Sequence, residues 1–260
     1  MTDPTPVERS HRMKRVLALA LPFVVACAPA ASPAPAHPEP DDHHAEHHGH
    51  AHGDHHGHHH GPGPTHDGAG MHHRFDDPAQ WAARFDDPGR DAWQKPDEVI
   101  RALALPEGAK VADVGAGTGY FTVRLAKALP KGFVYGVDIE PKMAEYLEAR
   151  AKKEGFANVR GVVSTTDDAR LPEAVDLVLV VDTYHHIDAR PAYFRKLAGK
   201  LAPKGRVAIV DFRRGQPMGP PDEHKIPADQ VKTEMAEAGY ALDAEHGFLP
   251  NQHFLVFRPR

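Results

Sequence analysis

The chain has a single cysteine, Cys27, in 260 residues. One thiol cannot form an intrachain disulfide, and it excludes a metal site built on several thiolates. An excess of basic charge is also missing, since 31 Lys and Arg stand against 36 Asp and Glu. No electrostatic footprint for nucleic acid follows, and no nucleic-acid partner is expected. The apolar run near the start, Val16 to Ala26, spans 11 residues, too short to cross a bilayer comfortably. Between residues 28 and 73 Lys and Arg are absent altogether, while 15 of the 21 histidines and 6 carboxylates gather there with many Pro and Gly. Such a segment has almost no apolar surface to offset its conformational entropy, so 28–73 is expected to be disordered.

The short apolar run has the anatomy of an export signal. Arg9, Arg12, Lys14 and Arg15 precede it, and a basic stretch ahead of a short apolar core is the pattern of a signal peptide. Met13-Lys-Arg would itself be a typical signal start, so initiation at Met1 or at Met13 is open. Val24-Val-Ala-Cys27 resembles a bacterial lipoprotein processing box. That resemblance implies a signal over 1–27, a lipid anchor on Cys27, membrane contact through it, and a place in the cell envelope. Cleavage near Ala30, or a cytoplasmic protein with a chance apolar start, is the alternative.

In the histidine-rich segment, His43, His44, His47, His48, His55, His56, His58, His59 and His60 put many imidazoles on a flexible backbone. Neutral imidazole is a good ligand for Zn, Ni and Cu. The irregular spacing defines no single four-ligand site, so weak, exchangeable metal binding is expected. The competing expectation is a solvated spacer whose charge turns cationic as pH falls through about 6.5.

Residues 74–260 are enough for one α/β domain with a sizeable core. A five-residue duplication, Arg74-Phe-Asp-Asp-Pro78 and Arg84-Phe-Asp-Asp-Pro88, reads as two turn-and-cap elements flanking a short helix around Trp81. Pro96 opens a helix that stops before Gly108. Strands are expected at 110–114, 133–138, 159–163, 175–181 and 206–211. They alternate with helices at 118–129, from Pro141 to near Gly155, around Tyr193 to Leu201, and from Pro227 to Gly239. Residues 212–226 read as loop, and two last strands near 241–248 and 254–257 form an antiparallel edge hairpin. The alternation, with near-continuous apolar character in Val175 to Val181, predicts an α/β, doubly wound, mostly parallel sheet covered on both faces.

The first strand runs into Asp113-x-Gly115-Ala116-Gly117-x-Gly119, and a second strand ends in Asp138-Ile139, with Asp138 19 residues beyond the last glycine. Glycines there allow close backbone approach to a ligand, and a carboxylate ending the second strand can accept hydrogen bonds from ribose hydroxyls. Dinucleotide sites use G-x-G-x-x-G and place a pyrophosphate on the helix N-terminus. Here the spacing is G-x-G-x-G and Asp113 precedes it. A carboxylate beside the loop repels pyrophosphate but suits a cationic, phosphate-free ligand, and S-adenosylmethionine has that character.

On these residues, 95–258 resembles the class I S-adenosylmethionine-dependent methyltransferases, in the small-molecule group. Asp113, Gly115, Gly117 and Gly119 match the first motif of that family, Asp138 its ribose-binding acid, and 201–211 its approach to the fifth strand. Asp168, or Asp167 in the other register, matches an aspartate that contacts the adenine amino group. The resemblance implies a Rossmann-like seven-stranded sheet with the last strand inserted antiparallel, S-adenosylmethionine as cofactor, and a small-molecule methyl acceptor. Asp182-Thr-Tyr-His185-His186 follows the fourth strand, where the family lines its methyl-transfer site. Asp182 is expected at the cofactor, and His185 or His186 is a candidate general base. His246 and His253 are expected at the surface. An exported metal-binding protein using this fold as a scaffold is the alternative function, because the cofactor is made in the cytosol.

Overall fold

The computed structural model describes residues 77–260. The signal-like start, Cys27 and the histidine clusters expected to bind metal lie outside the described residues.

Asp77 caps the first helix by accepting from Ala79 N at 3.2 Å, and Asp87 accepts from Gly89 N at 2.7 Å. These side-chain bonds satisfy backbone donors that a helix or turn start leaves free. Between them runs α1 (Pro78–Phe85), and α2 (Arg90–Gln94) and α3 (Pro96–Ala102) follow. Next come β1 (Lys110–Val114), α4 (Tyr120–Ala128), β2 (Phe133–Asp138), α5 (Pro141–Lys153), β3 (Val159–Val163) and β4 (Val175–Val181). The chain continues through α6 (Arg190–Leu197), β5 (Leu201–Phe212), α7 (Ala228–Glu237), β6 (Tyr240–His246) and β7 (Gln252–Pro259).

The sheet has seven strands in the order β3-β2-β1-β4-β5-β7-β6. Pairing is parallel from β3 to β5, and β7 lies antiparallel between β5 and β6. The short β6–β7 connection forces that antiparallel pair. β4 is central, and Val175, Leu177, Val178, Leu179 and Val180 are wholly buried, at roughly 1.5–3 kcal/mol of hydrophobic stabilisation each. The two faces carry separate cores. One joins Leu125 of α4 and Leu147 of α5 to Leu177 and Leu179, and the other joins Phe194 of α6 and Met235 of α7 to Val178 and Val180. β1 pairs with both β2 and β4, so the chain direction around the sheet switches at its carboxyl end and opens a crevice there.

Several elements differ from the sequence expectation, among them α4, β5 and α2. α4 starts at Tyr120 rather than Thr118, because Gly119 sits in the left-handed region with φ 89°. β5 begins five residues early, and Pro203-Lys-Gly205, which lies between the expected helix and strand, falls within it. A register shift in the pairing with β4, between Val175 and Leu177, absorbs the extra residues. α2 was not anticipated, being only five residues long and too short for helical periodicity to register.

Candidate active site

The turn after β1 has little room for side chains. Gly115 adopts φ 74°, and a Cβ there would lie 2.1 Å from Thr183 Oγ1 in the loop after β4. Both the dihedral and the contact require glycine. Gly115 N and Ala116 N donate to Val137 O at 2.8 and 3.0 Å. Gly117 N donates to Asp138 Oδ2 at 2.8 Å, and Glu140 N to Asp138 Oδ1 at 3.0 Å. One carboxylate therefore ties together the turns after β1 and β2. Each of its oxygens retains a second lone-pair site that can accept from a hydroxyl. Burial raises the Asp138 pKa, against the lowering effect of its backbone bonds.

Beneath the turn, buried Asp113 accepts from Thr122 Oγ1 at 2.7 Å. Burial pushes its carboxyl up to about 6, opposed by the Thr122 bond and by the charge of Arg90. Thr118 Oγ1 is buried in the same turn without a hydrogen-bond partner. An orphaned hydroxyl carries an unmet desolvation cost that a ligand can relieve.

These groups line a cavity of about 730 Å³. Ile139, 46% exposed, and Met143 flank the glycine turn on one side. Trp93, Phe212, Met218 and Pro220 make an apolar end. Trp93 and Phe212 rings lie 5.9 Å apart. Also on the cavity is His185, whose side chain is 5% exposed. Its Nδ1 meets Asp211 Oδ1 at 2.9 Å and Oδ2 at 3.0 Å, while its backbone N donates to Asp211 Oδ2 at 3.1 Å. This fixes the ring and leaves Nε2 as the nitrogen for a ligand. Burial disfavours the imidazolium, but the hydrogen bond and charge of Asp211 outweigh it, so the His185 pKa lies above its ordinary value. His186 lines the cavity beside it, with ring centroids 4.1 Å apart.

Helices α1 and α2 contribute Trp81, Phe85, Arg90 and Trp93 to the same cavity. Asp182 anchors this cover. Its backbone is left-handed at φ 53°, and its Oδ2 accepts from Arg90 Nη2 at 3.2 Å and Gln94 Nε2 at 2.9 Å. Gln252 Nε2 donates to Oδ1. Burial pushes the Asp182 carboxyl up to about 6, partly offset by the Arg90 charge. Tyr120 is held between two guanidinium groups, Arg90 at 4.1 Å and Arg124 at 3.9 Å from its ring, and bonds Asp91 through its hydroxyl.

The structure thus brings Asp113, Gly115, Ala116, Gly117, Asp138, Ile139, Asp182, His185 and His186 to one cavity. Gly119 stands just behind it, where an added Cβ would meet Leu147 Cβ at 3.1 Å. Asp167 and Asp168 are not brought to it. Ser164, Thr165 and Thr166 line that stretch of wall instead. Lys196 Nζ pairs with both carboxylates, at 3.1 Å from Asp167 and 3.0 Å from Asp168. Arg170 N also donates to Asp168 Oδ1 at 2.8 Å and, as the main cause, lowers its pKa. Substituting Asp168→Asn or Lys196→Ala is expected to change ligand affinity at the cavity by less than about twofold, since exposed ion pairs are worth little. Calorimetric titration measures this, and a tenfold loss would return Asp168 to the site.

His253 corrects another expectation. It is 3% exposed on the inner strand β7, where the strand insertion buries a residue that sequence position placed at the surface. Missed altogether were Thr118, Arg90, Gln94 and the pairing of Asp211 with His185. Among the described residues no group of three or more His, Cys, Asp or Glu side chains is placed to hold a metal ion.

Residues 105–245 match the family model described as a methyltransferase domain. The chain belongs to that family. A crystal structure of a SAM-dependent methyltransferase from Aquifex aeolicus superposes with TM-score 0.65 and 27% identity, over 70% of this chain and 97% of that one. By family and fold this is a class I methyltransferase. Protein-L-isoaspartate O-methyltransferase of Aeropyrum pernix is 37% identical over 128 residues, 48% of this chain and 44% of that protein. The 27-O-demethylrifamycin SV methyltransferase of Amycolatopsis mediterranei is 32% identical over 119 residues, 45% and 43% of the two chains. The match thus spans less than half the length of these two curated relatives.

Proposed function

We propose that this methyltransferase binds S-adenosylmethionine at the glycine turn and transfers its methyl group to a small-molecule acceptor at the His185 end of the cavity. The carrying observation is the bridge made by Asp138 between two turns, beside a buried Asp113 and the orphaned Thr118 hydroxyl. These groups suit a ligand with ribose hydroxyls and a cationic end, and they oppose a phosphate.

When bound, the cofactor supplies an electrophilic methyl group on sulfonium. Asp138 receives ribose hydroxyls with its free lone pairs. The Asp113 carboxylate attracts an ammonium group, and Thr118 gains the hydrogen bond it lacks. Ile139 and Met143 offer apolar surface to a base ring. The cover from α1 and α2, latched by Arg90 and Gln94 on Asp182, excludes water and holds the two reactants in line. At the other end His185, with Nδ1 held by Asp211, removes a proton through Nε2 from an attacking hydroxyl or amine. A cavity of about 730 Å³ is in the range for small-molecule sites, roughly 300–1,000 Å³. The apolar end formed by Trp93, Phe212, Met218 and Pro220 supports an acceptor with a hydrophobic body.

Calorimetric titration of the protein with S-adenosylmethionine and with S-adenosylhomocysteine tests this directly. Saturable one-site binding of both is expected, and absence of binding at about millimolar cofactor would overturn the proposal.

A further inference from the structure

A second cavity, of about 250 Å³, shares no residue with the first. Arg213 and Arg214 reach it from the end of β5, Pro227 and Ala228 from the start of α7, and His246 and His253 from the last two strands. His253 is 3% exposed, and neither of its ring nitrogens has a hydrogen-bond partner. Its register neighbour on β5, Asp211, does not help. The Asp211 carboxylate instead accepts from the His185 ring, His185 N and Phe212 N.

Of the Arg, Lys, Asp and Glu side chains that line this cavity with His253, two are basic and one is acidic. Among the described residues Arg213 makes no ion pair, and Arg214 Nε donates only to Lys225 O, at 2.9 Å. α7 is ten residues long and begins without a side-chain cap, so the free N–H groups of its first turn point toward Pro227. The one opposing charge on the wall, Glu245, is taken by Lys232 Nζ at 2.9 Å. Two guanidinium groups and a helix N-terminus repel a cation and attract an anion.

We propose that this cavity binds a tetrahedral phosphoryl oxyanion, independently of the methyl-transfer site. The donors converge from three elements, β5, β7 and α7, which suits a tetrahedral acceptor better than a planar carboxylate. The Arg213 fork donates to two oxygens, the α7 amides to a third, and one His253 ring nitrogen gains an acceptor. The shared chemistry has two sources, free phosphate or the phosphoryl end of a larger molecule.

Titration calorimetry on the full chain at about pH 7.5, where free imidazole is mostly neutral, tests the proposal with inorganic phosphate, glycerol 1-phosphate and acetate. Saturable one-site phosphate binding is expected, with acetate at least about tenfold weaker. Arg213→Gln should weaken phosphate at least about tenfold, and His253→Asn should weaken it as well. His253 is buried, so its variant is read only if its apo melting temperature holds. Arg213 is partly exposed and carries the test alone otherwise. Phosphate should also raise the melting temperature of the wild type and not of Arg213→Gln. Tighter glycerol 1-phosphate binding supports the site with a larger phosphorylated occupant, and equal or weaker binding supports it with free phosphate. No isotherm up to about 10 mM phosphate, acetate as tight as phosphate, or an unaltered Arg213→Gln variant each overturns the site.

Discussion

Replacing Asp138 by Ala raises the Kd for S-adenosylmethionine by about a hundredfold or more. The carboxylate fixes Gly117 N and Glu140 N at once, and in the proposed complex it also accepts ribose hydroxyls. Hydrogen bonds to a charged group contribute about 1.5–3 kcal/mol each, and each 1.4 kcal/mol is a factor of ten. Losing two to the cofactor therefore suffices for the effect, before any loosening of the glycine turn. A change within about threefold would remove Asp138 from the site. The buried carboxylates add a pH signature. Asp113 and Asp182 titrate near 6 because burial disfavours their charge. In the folded chain both pKa values are raised. The stability these groups contribute is thus present below the ordinary carboxylate pKa and lost as pH rises through about 6. Cofactor affinity runs the other way, because Asp113 attracts an ammonium group only when ionised. The gain in melting temperature on adding S-adenosylmethionine is therefore larger at about pH 7.5 than at about pH 5.

The sheet and the glycine turn were legible because both are written locally. β1 to β4 are short segments rich in β-branched and other apolar residues, each with only one or two charged residues or glycines, and their observed bounds match the expected ones. The strand insertion at β7 followed from resemblance rather than from any residue pattern. What periodicity missed depends on distant partners. Asp182 meets Gln94 and Gln252 from positions 88 and 70 residues away, and no local spacing signals such a junction. Asp211 and His185 are 26 residues apart. The available signal was that both stand at the carboxyl ends of adjacent strands, β4 and β5. Asp167 and Asp168 are the reverse case: a motif placed them at the cavity, whereas both pair with Lys196 of α6 and neither lines the cavity. His253 reads as polar and near the terminus, yet the pairing of β7 between two strands buries it.

The second large effect concerns His185. His185→Asn lowers turnover by about a hundredfold to a thousandfold, the range of a lost general base, while the Kd for S-adenosylmethionine stays within about twofold. Release of S-adenosylhomocysteine reports the rate, with a hydroxyl- or amine-bearing acceptor that supports turnover by the wild type. The base is active when neutral, so the rate rises with pH to a plateau. Its midpoint lies above the ordinary imidazole value of about 6.5, because the bond and charge of Asp211 outweigh the burial that opposes protonation. Asp211→Asn removes that charge and moves the midpoint down. It also lowers the rate, since the amide frees the ring to rotate from its doubly held position. A residue that merely supported the fold would lower the rate without moving the midpoint. An unshifted profile in Asp211→Asn, or undiminished turnover in His185→Asn, would mean that alignment of acceptor and methyl group suffices without proton removal. The acceptor would then lose its proton to water rather than to His185, and the dyad would serve only to shape the wall beside Phe212, whose ring centroid lies 6.4 Å from that of His185.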